Sequence, residues 1–188
     1  MEQSKTTTPK IFGIGWPKTG ITTLGKAMQM MDQRYCGLQK EFLRPAINGN
    51  VEALASIAGA FDFLGEWPWP LYFREMDARF PGAKFILTVR NEDDLLRSYH
   101  NMLRKDGPGK PIMAEFRRFV YGPTIDAETV KIRYRRHVAE VKEYFKDRPD
   151  DLLIVDWSTG DGWDELERFT GLARPVVAFP HANKGAYA

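Results

Sequence analysis

Lys10-Ile-Phe-Gly-Ile-Gly-Trp-Pro-Lys-Thr-Gly-Ile-Thr-Thr-Leu24 is the stretch that decides how this chain folds. Ile11, Phe12 and Ile14 read as a short buried strand, Gly15 to Gly20 as a tight turn, and Thr22 to about Met31 as an amphipathic helix. The N–H groups that open such a helix have no acceptor within it and sit at the positive end of its dipole, so an anion there satisfies both. Lys18 adds a full charge, and Thr19, Thr22 and Thr23 add hydroxyls. Residues Pro17, Lys18, Thr19, Gly20, Ile21, Thr22 and Thr23 are therefore a candidate phosphate or sulfate cradle. The alternative is a plain strand-to-helix connection.

Residue order separates this loop from a Walker A loop, in which Lys follows the second Gly; here Lys18 precedes Thr19-Gly20 and follows Pro17. A second segment carries the same chemistry. Ala83-Lys-Phe-Ile-Leu-Thr-Val-Arg-Asn91 is an apolar strand ending in Arg90, followed by a helix from Glu92 to about Lys105. Arg90 leaves the carboxyl end of a strand, where open α/β sheets bind ligands. Its planar fork suits phosphate, and Ser98 lies about two helical turns further on. The competing role for Arg90 is an ion pair with Asp93 or Asp94, leaving Ser98 as a surface residue.

Pro17-Lys-Thr-Gly-Ile-Thr-Thr23 resembles the 5′-phosphosulfate loop of sulfotransferases that use 3′-phosphoadenosine 5′-phosphosulfate, and Val89-Arg-Asn-Glu-Asp-Asp-Leu-Leu-Arg-Ser-Tyr-His100 resembles their 3′-phosphate motif. Phe61-Asp-Phe-Leu-Gly-Glu-Trp-Pro-Trp-Pro70, Phe80-Pro-Gly-Ala-Lys-Phe85, Leu152-Leu-Ile-Val-Asp-Trp157, Gly160-Asp-Gly-Trp163 and Phe179-Pro-His-Ala-Asn-Lys184 look like further landmarks of a small-protein branch of that superfamily. The resemblance implies a P-loop-like three-layer α/β/α fold with a central parallel sheet. It also implies the phosphosulfate as donor, adenosine 3′,5′-bisphosphate as product, and Arg90 with Ser98 on the 3′-phosphate. Two positions depart from the pattern. Ile21 stands where a Thr is usual, and Asn183-Lys184-Gly185 matches only loosely the loop that closes over the cofactor, with Lys184 as its candidate contact.

At 188 residues the chain fits one domain, read as 10–188 behind a loose arm of residues 1–9. Hydrophobic content of 43% with 28% charged residues is ordinary for a soluble globular protein, and no apolar run reaches the roughly 20 residues that span a bilayer. Met1 to Lys10 is polar, unlike a signal peptide, and the single Cys36, read as a buried structural thiol, suits a reducing cytoplasm. A net charge of +2 gives no general case for nucleic acid. Lys131, Arg133, Arg135 and Arg136 form a local basic patch, but Glu128, Glu140 and Glu143 interleave with it, which points to a solvated helix face. No membrane or nucleic-acid partner is expected.

Strands near 10–15, 61–66, 84–89 and 152–156 alternate with helices near 21–32, 50–60, 69–79, 92–105, 126–147 and 162–171, and a short helix sits between Asp106-Gly-Pro-Gly-Lys-Pro111 and Tyr121-Gly-Pro-Thr124. That alternation predicts a parallel sheet covered on both faces. Sulfuryl transfer needs charge stabilisation and a base for the acceptor proton. Lys18 and the N–H groups of Thr19 to Thr22 are the candidates for the first, with no metal required. For the base Glu66 is favoured, at a probable strand end before Trp67-Pro-Trp-Pro70, with Asp62 and His100 behind it. His137 and His181 have no evident partner. Trp16, Trp67 and Trp69 are either walls for a planar ligand or core. Acceptor selectivity falls to loops 33–60 and 106–125.

Three readings follow. The first is a cytoplasmic sulfotransferase acting on a hydroxyl or amine of a small molecule. The second is a P-loop-type kinase or hydrolase. The third is a non-catalytic relative that keeps the nucleotide pocket. Binding of adenosine 3′,5′-bisphosphate without Mg²⁺ separates the first two, and turnover separates the first from the third.

Overall fold

The computed structural model describes residues 9–106 and 110–180. Five parallel strands form one sheet: β1 (Ile11–Gly13), β2 (Tyr35–Cys36), β3 (Phe63–Leu64), β4 (Lys84–Thr88) and β5 (Leu152–Val155), in the order β2-β3-β1-β4-β5. The helices are α1 (Ile21–Met30), α2 (Leu43–Ile47), α3 (Val51–Gly59), α4 (Phe73–Arg79), α5 (Glu92–Asp106), α6 (Pro111–Tyr121), α7 (Ala127–Tyr144) and α8 (Trp163–Thr170). The expected parallel α/β/α arrangement is present.

Alternation along each strand splits the core into two layers, because successive side chains leave a strand on opposite faces. Ile11, Phe63, Ile86 and Val155 point to one face, where they pack on Ile21, Leu24 and Met28 of α1 and Trp163 and Leu166 of α8. Phe12, Leu64, Phe85 and Leu87 point to the other, against α2 through α7. Phe12 stacks on Phe85 with ring centroids 5.4 Å apart, and both are fully buried. The register that aligns them pairs Phe12 with Leu64 of β3 on one side and with Phe85 of β4 on the other.

This division fixes where a ligand can enter. The chain leaving β1 turns to one face, whereas the chains leaving β3 and β4 turn to the other. The carboxyl end of β1 is thus flanked by two crevices of the kind that open where a doubly wound sheet reverses its winding.

Several expected boundaries shift for identifiable reasons. Tyr35–Cys36 is a strand of two residues, too short for any periodicity to signal it. Helix α2 follows a 3₁₀ turn at Lys40–Phe42 and carries Pro45 in its first turn, where a missing N–H costs nothing. The predicted helix 69–79 is a 3₁₀ turn at Trp69–Leu71 followed by α4, since Pro68 and Pro70 lie at its start. Helix α7 begins on Asp126, whose carboxylate accepts from Thr129 N at 2.8 Å.

Candidate active site

The loop after β1 is held from beneath. Ile14 N bonds to Ile86 O at 2.8 Å, and His137 Nε2 lies 2.7 Å from Ile14 O. A carbonyl only accepts, so Nε2 carries the proton; burial pushes the imidazole down to about 4 and keeps it neutral. The ring also lies 4.9 Å from that of Trp16. His137 is therefore a core histidine under the loop.

Thr19 is turned inward as well. Its N–H bonds to Trp16 O at 3.2 Å, its hydroxyl reaches the same carbonyl at 2.6 Å, and Thr88 Oγ1 lies 2.6 Å from Thr19 Oγ1. At 1% exposure the Thr19 hydroxyl braces the loop from within. Gly15 lies directly over this pair, and a Cβ there would overlap Thr88 Oγ1 and come within 2.8 Å of Thr19 Oγ1. Gly20, in the left-handed conformation at φ 98°, begins α1, and its carbonyl accepts from Trp157 Nε1 at 3.1 Å.

With Thr23 N bonded back to Gly20 O, the N–H groups of Gly20, Ile21 and Thr22 have no backbone acceptor among the described residues. Pro17, Lys18, Ile21 and Thr22 all line one cavity. Lys18 has φ 74°, unusual for a residue with a side chain.

From the crevice on the β4 side, Arg90 Nη1 donates to Lys18 O at 3.3 Å. Tyr134 fixes the Arg90 backbone, its hydroxyl accepting from Arg90 N at 3.0 Å and lying 2.9 Å from Arg90 O. No described carboxylate pairs with Arg90: Asp94 pairs with Arg97, and Asp93 N bonds to Asn91 Oδ1. Ser98 lies on α5, buried at 4% exposure. On the β3 side Glu66 follows Gly65 with φ 68°, and its Oε1 accepts from Thr22 Oγ1 at 3.0 Å.

Against this geometry, a family model described as a sulfotransferase domain matches residues 10–188. The chain belongs to that family. A search of curated proteins finds no match.

Within the sulfotransferase domain, Gly15, Pro17, Lys18, Ile21, Thr22, Glu66 and Trp67 surround a cavity of about 420 Å³. Its remaining wall comes from Leu38, Lys40, Pro70, Tyr99, Met102, Lys110, Met113 and Arg117, so both loops assigned to the acceptor reach it. Trp67 lines it, whereas Trp16 and Trp69 are core residues at 3% and 0% exposure. Asp62 is committed elsewhere: Arg34 grips both carboxylate oxygens at 2.7 and 2.6 Å and holds the carboxyl below its ordinary range. His100 sits on the exposed side of α5, lining a separate groove with Ile125 and Val130. Arg135 pairs with Glu92 and Arg136 with Glu140, as a solvated helix face would.

Cys36 is a buried thiol whose pKa burial raises. The candidate contact Lys184, along with His181, lies outside the described residues. No helix among the described residues is long and apolar enough to cross a membrane. Sequence reasoning missed Trp157 as a buttress of Gly20, 137 positions away, and Lys40, Lys110 and Arg117 as cavity walls.

Proposed function

We propose that this domain transfers a sulfuryl group from 3′-phosphoadenosine 5′-phosphosulfate to a hydroxyl or amine of a small acceptor, as a cytoplasmic enzyme. The observation that carries the reading is the placement of two anion-binding groups and one carboxylate around the end of β1. The loop and Arg90 touch through the Lys18 carbonyl on one side, and Glu66 stands on the other.

In this reading Lys18 and the N–H groups of Gly20, Ile21 and Thr22 hold the 5′-phosphate and the sulfuryl oxygens, with Pro17 and Thr23 shaping the turn. Arg90 and Ser98 take the 3′-phosphate, and Lys184 belongs to the closing loop. The acceptor oxygen or nitrogen attacks sulfur from the Glu66 side, and its proton passes to the Glu66 carboxylate. The bond between sulfur and the bridging oxygen breaks, and adenosine 3′,5′-bisphosphate leaves with the electron pair, its charge met by Lys18. Thr19 supports the loop from within.

Calorimetry without Mg²⁺ tests the donor assignment. Adenosine 3′,5′-bisphosphate should bind more tightly than adenosine 5′-phosphate. Arg90→Ala should weaken the bisphosphate by about 1.5–3 kcal/mol more than the monophosphate, the worth of a hydrogen bond to a charged group, since the monophosphate loses only the support Arg90 gives the Lys18 carbonyl. Equal losses for both ligands would remove Arg90 from the 3′-phosphate.

A further inference from the structure

We propose that the acceptor is an amphipathic acid, an apolar body that carries a carboxylate or phosphate apart from the hydroxyl or amine that is sulfated. This deepens the sulfotransferase reading above and rests on it.

The cavity beside Glu66 is the source. Four cations, Lys18, Lys40, Lys110 and Arg117, line it against a single carboxylate, Glu66, among its described lining residues. Lys18 lies on the loop that faces the donor. The other three come from elsewhere: Lys40 opens the 3₁₀ turn after β2, Lys110 caps α6, and Arg117 lies on α6 itself. Arg90, the group assigned to the donor's far phosphate, is not part of this wall.

Lys40 and Lys110 are close enough that Lys110 lowers the pKa of Lys40, only partly offset by Glu41. Two like charges brought together at the rim of a cavity repel, and an anion between them removes that repulsion. Arg117 is about nine-tenths buried in the same wall. The same wall also carries the apolar side chains of Leu38, Trp67, Pro70, Met102 and Met113. A volume of about 420 Å³ suits a small organic molecule and not a polymer. A neutral phenol would fill the apolar part and leave the Lys40–Lys110 repulsion in place, and a cationic amine without an acid group would add to it.

Three probes share one para-hydroxyphenyl body: hydroxyphenylpropionate, ethylphenol and tyramine. Their affinities for the wild-type protein are measured by tryptophan fluorescence and calorimetry, with and without saturating adenosine 3′,5′-bisphosphate. The acid should bind about tenfold more tightly than ethylphenol, with tyramine weakest. Lys40→Ala with Lys110→Ala, both exposed positions, should bring the acid within about twofold of ethylphenol while bisphosphate affinity stays the same. Lys40→Glu with Lys110→Glu should reverse the order in favour of tyramine.

Equal binding of the three probes, or binding of none, overturns the proposal, as does a preference that survives in the double alanine variant. If that variant loses bisphosphate and acid affinity alike, the lysines belong to the donor and the proposal fails. Failure of the wild type to bind bisphosphate counts instead against the sulfotransferase reading, and the probe series without nucleotide still decides the acid preference.

Discussion

Gly15→Ala is the change to which the loop should be most sensitive. Trp16 O can only accept, so the Thr19 hydroxyl spends its proton there at 2.6 Å, and the Thr88 hydroxyl must donate to Thr19. Both threonines are buried, at 1% and 0% exposure, so neither has water as a substitute partner. A methyl group on Gly15 would overlap Thr88 Oγ1 and lie 3.0 Å from Thr88 Cβ. Because Thr88 is β-branched and locked in β4, its hydroxyl escapes only by leaving a favoured rotamer. Overpacking costs about 1–3 kcal/mol and a stranded buried hydroxyl about as much again, so Gly15→Ala should lose roughly 2–6 kcal/mol.

Removing the obstacle should restore much of that. Thr88→Ala alone gives up one hydrogen bond and a methyl group, about 1–2 kcal/mol, but makes room for the new Cβ. In a double-mutant cycle read by urea denaturation, Gly15→Ala with Thr88→Ala should be more stable than the sum of the single losses by about 1–3 kcal/mol. Thr88→Val, which puts a methyl where the hydroxyl stood, should give no rescue. The double variant also provides folded protein if Gly15→Ala alone does not fold. Additivity within about 0.5 kcal/mol would mean that the loop relaxes freely and that Gly15 is not required by this close approach.

Two further predictions concern titration and the proton acceptor. His137 is held neutral by burial, with a folded pKa of about 4 against an ordinary 6.5; the unfolded chain therefore binds more protons below pH 6.5, and stability is lost as pH falls from there toward 4. Between pH 7.5 and 5 that loss should be about 2 kcal/mol, and His137→Gln, which keeps a donor for Ile14 O but does not titrate, should flatten urea-derived stability by that amount; an unchanged slope would place the pH dependence elsewhere. Glu66→Gln keeps an oxygen for Thr22 and removes the basicity, so bisphosphate affinity should survive while turnover of labelled donor with the best acid acceptor falls about 10²–10⁴-fold, and near-normal turnover would eliminate Glu66 as base.

What the sequence made legible was local. Lys10–Leu24 and Ala83–Lys105 each contain a strand, a turn and a helix within one short window, and both segments fold as their composition and punctuation indicate. What it concealed was assembled from distant segments. Trp157 and Gly20 meet across 137 positions, Thr88 and Thr19 across 69, and no local pattern marks either pair. The hydroxyl of Thr19 looked like a ligand donor because Ser and Thr near a helix start often face outward; here Trp16 O and Thr88 claim it. Lys40, Lys110 and Arg117 are unremarkable surface-type residues in sequence, and the packing of α6 against α2, which follows the 3₁₀ turn at Lys40–Phe42, brings them to one wall.

Backbone strain offers an independent view of the same site. Among the described residues, Lys18, Asp32 and Glu66 alone combine a side chain with a left-handed backbone, at φ 74°, 59° and 68°. Asp32 follows the end of α1, a place where left-handed residues commonly stop helices, so its conformation has a local cause. Lys18 is the third residue of a turn with Pro17 second, closed by Thr19 N on Trp16 O, a position that takes positive φ although it is usually Gly or Asn; Glu66 has no such local cause. They lie in different loops that line the same cavity, and Gly at each position would relax the backbone by about 1–2 kcal/mol at the loss of a charged side chain. Strain of this kind persists only where the surrounding fold imposes it: the Lys18 carbonyl is bonded by Arg90, and the Glu66 carboxylate by Thr22 at the start of α1. The two residues assigned to charge stabilisation and to proton removal thus both adopt a backbone conformation that a side chain disfavours, Lys18 inside a Pro17 turn and Glu66 after β3, and both are tied to the turn that opens α1.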